Sequence, residues 1–289
     1  MRKIRLLPDV AVYVAQSYAA IFDYPLTESD VYRWVPFIEG PKELRVSPLK
    51  RRDIVKREER KQWSARKWEH AQVVAEWLHK VPTIQLVGVT GGLAMDNAKK
   101  SDDIDLFFVT SRGTTWITRF MATCIVELSG YRRKPGEKNV TDKICLNMFM
   151  AENALAICGK ERDFFAAHEV LQMIPLRERD DAYKRFLLSN QWAKNFLPNA
   201  WREKIQYTKQ RNIEKTHFII FYLCFIFRFF EPIAKYLQLW YMRNRRTNEV
   251  ISESVIRFHP VDARVWVKKA LAKYLAVRNV PLDKIFYGS

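Results

Sequence analysis

Thr90-Gly91-Gly92 and, after ten intervening residues, Asp103-Ile104-Asp105-Leu106-Phe107-Phe108-Val109 are the segments around which the rest of this chain is arranged. The second is an apolar run entered through alternating carboxylates, the pattern of a buried strand with a polar end. Side chains on a strand alternate between faces, so Asp103 and Asp105 project to one side while Ile104 and Leu106 point into a core. Two carboxylates held that close repel unless protons or a cation neutralise them. Mg²⁺, which takes one or two carboxylates together with substrate phosphates, meets that need. The glycines supply the other half, because a turn without side chains lets a phosphate approach the backbone.

Working outward, residues 83–89 read as a strand, 91–98 as a turn and short helix, and 103–109 as a second strand. A helix follows over 114–128, with Ile117, Phe120, Cys124 and Leu128 on one face, and a third strand over 143–150. Beyond Met150 the spacing of apolar residues predicts helices only, over 161–173, 180–195, 200–229, 232–243 and 261–276. Upstream, Val10, Val14, Tyr18 and Ile21 mark a helix over 9–22 that Asp23-Tyr24-Pro25 ends. Thr27, with Asp30 three positions on, predicts a capped second helix through Val35. This pair suits either a helix-turn-helix or winged-helix-like module or a packing cap; Pro36, Gly40, Pro41 and Pro48 break up the next dozen residues. The expected fold class is α+β. A small mixed β-sheet core at 81–150 is preceded by a helical module (1–40) and a basic connecting helix (41–80), and followed by a C-terminal helical region (151–289).

The 289 residues are 48% hydrophobic and 13% aromatic, which excludes global disorder. Lys and Arg number 49 against 32 Asp and Glu, a formal net charge of +17 that attracts polyanions such as nucleic acid, nucleotides or anionic lipid. Residues 42–80 hold twelve of the basic side chains and six acidic ones, a net +6. There the stripe Trp68, Ala71, Ala75 and Leu78 docks a helix, leaving Arg51, Arg52, Lys56, Arg57, Arg60, Lys61, Arg66 and Lys67 largely in solvent. Residues 50–67 thus form a candidate nucleic-acid surface, although Glu58, Glu59 and Glu69 equally suit ordinary salt-bridge pairing. The four cysteines (Cys124, Cys145, Cys158, Cys224) fit no zinc spacing and no disulfide framework, so reduced thiols and a cytoplasmic location are expected. The longest apolar run, residues 218–227 between His217 and Arg228, is too short to span a bilayer. Arg228, Glu231 and Lys235 add a polar stripe that points to a helix packed in a bundle, with an interfacial membrane helix as the other reading.

Thr90-Gly91-Gly92, a short helix, then Ser101-Asp102-Asp103-Ile104-Asp105-Leu106 resembles the signature of the DNA polymerase β-like nucleotidyltransferase superfamily. The resemblance covers about residues 80–150 well and the helical flanks loosely. It implies a nucleotidyltransferase core in which Asp103 and Asp105 hold two Mg²⁺ ions against a nucleoside triphosphate, with Gly91 and Gly92 at the phosphates. It further implies transfer of a nucleoside monophosphate to a hydroxyl acceptor with release of pyrophosphate.

The superfamily places a third carboxylate on a later strand. Here that strand, residues 143–150, has no interior Asp or Glu, and Asn147 is the positional match. An amide ligates a metal through oxygen but accepts no proton. Asp142 or Glu152 at the strand ends, a water or the substrate are the other candidate bases. The alternative reading is a catalytically degraded member acting as a nucleic-acid-binding or regulatory module, or as one half of a toxin–antitoxin-like pair. His168-Glu169 reads as a packing or capping pair, His259-Pro260 as a helix-starting turn before Asp262, and Lys99 and Lys100 as loop lysines near phosphate or solvent.

Overall fold

A computed structural model describes residues 6–39, 44–211, 213, 218–243, 250–257 and 263–288. Gly40, Pro41, His217 and residues 259–262, to which the sequence assigns breaks and turns, lie outside these. The fold is mixed α/β. Six strands form one sheet, β1 (Ile84–Val89), β2 (Ile104–Thr110), β3 (Ile144–Ala151), β4 (Ile174–Glu178), β5 (Val250–Ile251) and β6 (Val255–Arg257), in the order β4-β1-β2-β3-β6-β5. Of these neighbouring strand pairs among the described residues, β2–β3 alone is parallel. Their connection is α5 (Thr115–Leu128), the crossover that a parallel pair requires.

Three strands therefore lie where only helices are expected. In β4, Pro175 pairs with Gly88 of β1 on the outer edge of the sheet, where a strand tolerates proline's missing N–H. At the opposite edge β6 pairs with β3, and β5 has two residues, too few to carry a period. The helical expectations shift as well. The span 180–195 divides into α7 (Ala182–Ser189) and a 3₁₀ turn, Gln191–Asn195. α8 (Pro198–Lys209) ends before α9 (Phe218–Met242), which continues through Pro232 instead of ending there.

Two apolar layers cover the sheet. One face packs on α3 (Arg51–His79) and α5 through Ala71, Val74, Leu78, Trp116 and Val126. Ile104, Leu106 and Phe108 of β2 point into this layer, as the alternation predicts. The other face, which carries Phe107 and Val109, packs on α1 (Pro8–Ile21), α2 (Glu28–Trp34), α6 (Phe164–Gln172), α10 (Ala263–Ala276) and α11 (Leu282–Phe286). The N-terminal helices thus share one core with the C-terminal ones. α2 opens as expected, with Thr27 Oγ1 accepting from Asp30 N and Asp30 Oδ2 accepting from Thr27 N.

The basic face of α3 is only partly in solvent. Arg57 pairs with Asp30 at 2.9 Å and donates to Pro25 O, and Lys56 pairs with Asp23 at 2.6 Å, so both fasten α3 to the α1–α2 turn. Lys67 is buried, and its Nζ donates to Lys100 O, Asp102 O and Asp142 Oδ1. It is a strut under the loop that leads into Asp103, not a solvent-facing cation. Lys67→Met would leave both carbonyls without their donor, at a cost of about 2–4 kcal/mol. A thermal melt is expected to show the midpoint lower by roughly 5–10 °C.

Candidate active site

Asp103 closes the loop that enters β2, and Asp105 is the second residue of that strand, so both face away from the α3–α5 layer. Thr90 N donates to Asp105 O at 3.0 Å, which holds the glycine turn against the strand. Gly91 has φ +68°, and a β-carbon on it would meet Asp105 Oδ2 at 3.0 Å. Conformation and space both demand glycine there. Gly92 is less constrained, because a β-carbon would meet nothing nearer than Asn97 O, at 3.6 Å. Beside the turn, the buried hydroxyl of Thr90 has no hydrogen-bond partner.

Opposite Asp105 in the parallel pair stands Cys145. The register between β2 and β3 shifts after Leu106–Leu146, leaving Asn147 as the extra residue of a bulge. Strict alternation would put Cys145, Asn147 and Phe149 on one face. The bulge instead returns Phe149 to the α3–α5 layer and turns Met148 and Met150 to the other. Asn147 is buried, with its Oδ1 unpartnered. One ligand atom from each of Asp103, Asp105 and Cys145 lies within 4.8 Å of the others. Arg133, in the loop before β3, reaches in from the rim: its Nη1 donates to Asp103 Oδ2 at 2.6 Å and lies 3.9 Å from Cys145 Sγ.

The site is electrostatically tense. Burial pushes the Asp105 carboxyl up to about 7, and the neighbouring Asp103 charge adds to it, against the opposing hydrogen bond of the Cys145 thiol and the pull of Arg133. The thiol is itself driven well above its ordinary range, by burial and then by both carboxylates, so Cys145 stays protonated. A neutral thiol is a poor ligand for Mg²⁺, whereas the paired carboxylate oxygens suit it.

Neither strand-end alternative for the third carboxylate is free. Asp142 is held by Lys67. Glu152 accepts from Arg112 N and pairs with Arg185. It also lies seven residues along the chain from Cys145, roughly 23 Å at strand rise.

A different carboxylate borders a cavity against the glycine turn. Glu169 sits on α6, whose N-terminus Asp163 caps through Ala166 N. Burial pushes Glu169 up to about 7, the charge of Asp105 pushes in the same direction, and Arg264 opposes them. With Gly91, Gly92, Asn97 and Gln172 it lines a cavity of about 110 Å³ whose other walls are mostly apolar and aromatic, among them Tyr18, Tyr24 and Trp34. His168 is its structural neighbour, stacked on Tyr18 at 3.9 Å and on Trp34 at 5.2 Å, and burial drives it down to about 3. For His168 the packing reading agrees with its surroundings; Glu169 borders the cavity. The signal in the sequence was a lone acid in the otherwise uncharged run 164–173 apart from His168, a type of residue that clusters at functional sites when buried.

A second groove, about 590 Å³, lies along α3 beside the same loop and is lined by Arg52, Lys56, Arg60, Trp63, Lys99 and Lys100. Lys100 Nζ lies 5.2 Å from the centre of the Trp63 ring. No family model, curated protein or solved structure matches the chain.

Proposed function

We propose that this protein is a Mg²⁺-dependent nucleotidyltransferase, of the DNA polymerase β-like kind, that moves a nucleoside monophosphate from an NTP to a hydroxyl acceptor and releases pyrophosphate. The observation that carries this reading is the glycine turn seated on the carboxylate pair: Gly91 at φ +68°, where a β-carbon would come within 3.0 Å of Asp105 Oδ2. A side chain at that point would fill the approach to the carboxylates, and the unpartnered Thr90 hydroxyl beside it is a donor suited to a phosphate oxygen. Asp103 and Asp105 would hold the metal, which supplies charge neutralisation at the triphosphate and a more acidic acceptor hydroxyl. Glu169 takes the acceptor's proton, the role for which β3 offers no carboxylate. The aromatic cavity beside Glu169 suits the flat face of a nucleobase, and the basic groove with Trp63 suits a polyanionic acceptor.

The test is incubation with each labelled NTP, Mg²⁺ or Mn²⁺, and pools of RNA, DNA and protein acceptors. Pyrophosphate release that disappears in Asp103→Ala is expected. No release with any pool, together with nucleotide binding identical in wild type and Asp103→Ala, overturns the reading.

One observation favours a second reading. Arg133 already neutralises Asp103, as a retired metal site would have it. A non-catalytic nucleic-acid-binding module would show salt-dependent affinity that falls on Arg52→Glu and Lys99→Glu and ignores Asp103→Ala and Asp105→Asn.

A further inference from the structure

α9 is amphipathic in the wrong sense for a helix in water. Its polar side chains turn toward the protein. Glu231 accepts from Trp116 N and Ile117 N, capping α5, at 2.9 and 2.8 Å. Gln238 donates to Trp116 O and receives Arg119, and Arg228 donates to Arg112 O. Lys235 pairs with Glu253. The buried stripe Cys224, Ala234, Gln238 and Met242 completes this inner face. The outer face, at i+3 and i+4 spacing, is Tyr222, Phe225, Phe229, Ile233, Tyr236 and Trp240, each 56–70% exposed. Such a surface is far from the scattered apolar residues that any protein shows, and it marks a contact. A packed bundle helix, the expectation from its polar stripe, would have buried it.

Composition and charge identify what covers it. The outer face is aromatic, with Tyr and Trp among its residues, the side chains that settle at the membrane–water boundary. In the sequence, Lys209 and Lys215 precede the helix, and Arg243, Arg245 and Arg246 follow it. Cations at both ends of an apolar helix complement anionic lipid. A second copy of the chain is a poor occupant, because each copy carries +17. Among the described residues no helix is long and apolar enough to cross a bilayer, and Glu231 in the middle of α9 is fastened to α5. We infer that the outer face of α9 docks the protein on an anionic membrane surface, with the helix lying in the plane of the interface and its polar side occupied by the protein itself.

Docking through α9 is independent of catalysis, and its test needs no substrate. The full chain is floated with vesicles of phosphatidylcholine containing phosphatidylglycerol, and with phosphatidylcholine alone. Binding to the anionic vesicles, weakened by added salt, is expected. The triple variant Phe225→Ser, Phe229→Ser, Trp240→Ser changes only exposed side chains and should lose about a hundredfold in partitioning with an unchanged melting temperature. Arg243→Gln with Arg245→Gln and Arg246→Gln should lose the preference for anionic lipid. Three results overturn membrane docking: no vesicle binding by a monomer, concentration-dependent self-association through the same face without vesicle binding, or vesicle binding that the triple variant retains.

Discussion

Replacing Asp105 by asparagine is expected to abolish nucleotidyl transfer and, at the same time, to raise the melting temperature of the metal-free protein at pH 8. The first effect follows from its place in the carboxylate pair. An amide keeps the shape but loses the charge that holds a divalent cation, and a loss of about 4 kcal/mol in transition-state stabilisation is roughly 10³-fold in rate. The second follows from linkage. The Asp105 carboxyl, ordinarily near 3.8, is pushed up to about 7, by burial first and then by Asp103. The folded protein therefore holds a proton that the unfolded chain has already released. Stability tied to this group is complete below pH 4 and lost as the pH rises through 7. At pH 8 the ionised carboxylate costs about 2–4 kcal/mol in the absence of metal. The neutral amide of Asp105→Asn carries no such cost, so the variant's midpoint should be roughly 5–10 °C higher at pH 8 and little changed at pH 4. Mg²⁺ or Mn²⁺ should stabilise the wild type and leave the variant unmoved. A variant that melts at or below the wild-type temperature at pH 8, or that retains transfer, refutes this account of the site.

Gly91, Asp103 and Asp105 were legible in the sequence because their relation is local. A turn, a spacing and a period of two suffice to put the carboxylates at one end of one strand and the glycine turn close before it in the chain. Everything that failed to show did so for want of locality. The Asn147 bulge breaks the alternation of β3 only because β2 sets its register, and nothing within 143–150 announces it. Lys67 looks like any other lysine of a charged helix; what buries it is the loop 100–102 and Asp142, contributed from far along the chain. β4 is a five-residue strand containing proline, and it is held by its partner β1, not by its own propensity. In α9 the apolar and polar residues are visible, but which set faces the protein is not. Amphipathicity gives two faces without saying which one is inside.

Glu169, the candidate base, is hidden from the sequence by distance, and Glu169→Gln is the decisive substitution for the catalytic reading. The variant keeps the volume and the helix of α6, and it removes a carboxyl that burial holds high, so it should fold at least as well as the wild type. If Glu169 takes the acceptor proton, kcat falls about 10²–10⁴-fold, the usual worth of a general base. Nucleotide affinity should hold within about threefold, since a base acts on the proton and not on the phosphates. The pH profile separates this role from a structural one. Glu169 accepts a proton only when ionised, so the wild-type rate must rise with pH as the carboxyl titrates. Without metal that point is near 7, and part of the rise comes from the charge of Asp105. Cations that neutralise Asp105 remove that part, so the rising limb should lie below 7 in the loaded enzyme. Glu169→Gln should flatten it. Glu152→Gln is the matching control: that carboxylate is committed to Arg112 and Arg185 at the far end of β3, and its loss should leave kcat and the limb in place. If Glu152→Gln costs as much as Glu169→Gln, or if the limb survives in Glu169→Gln, the proton goes elsewhere. The aromatic cavity beside Glu169 would then be a binding pocket without a base.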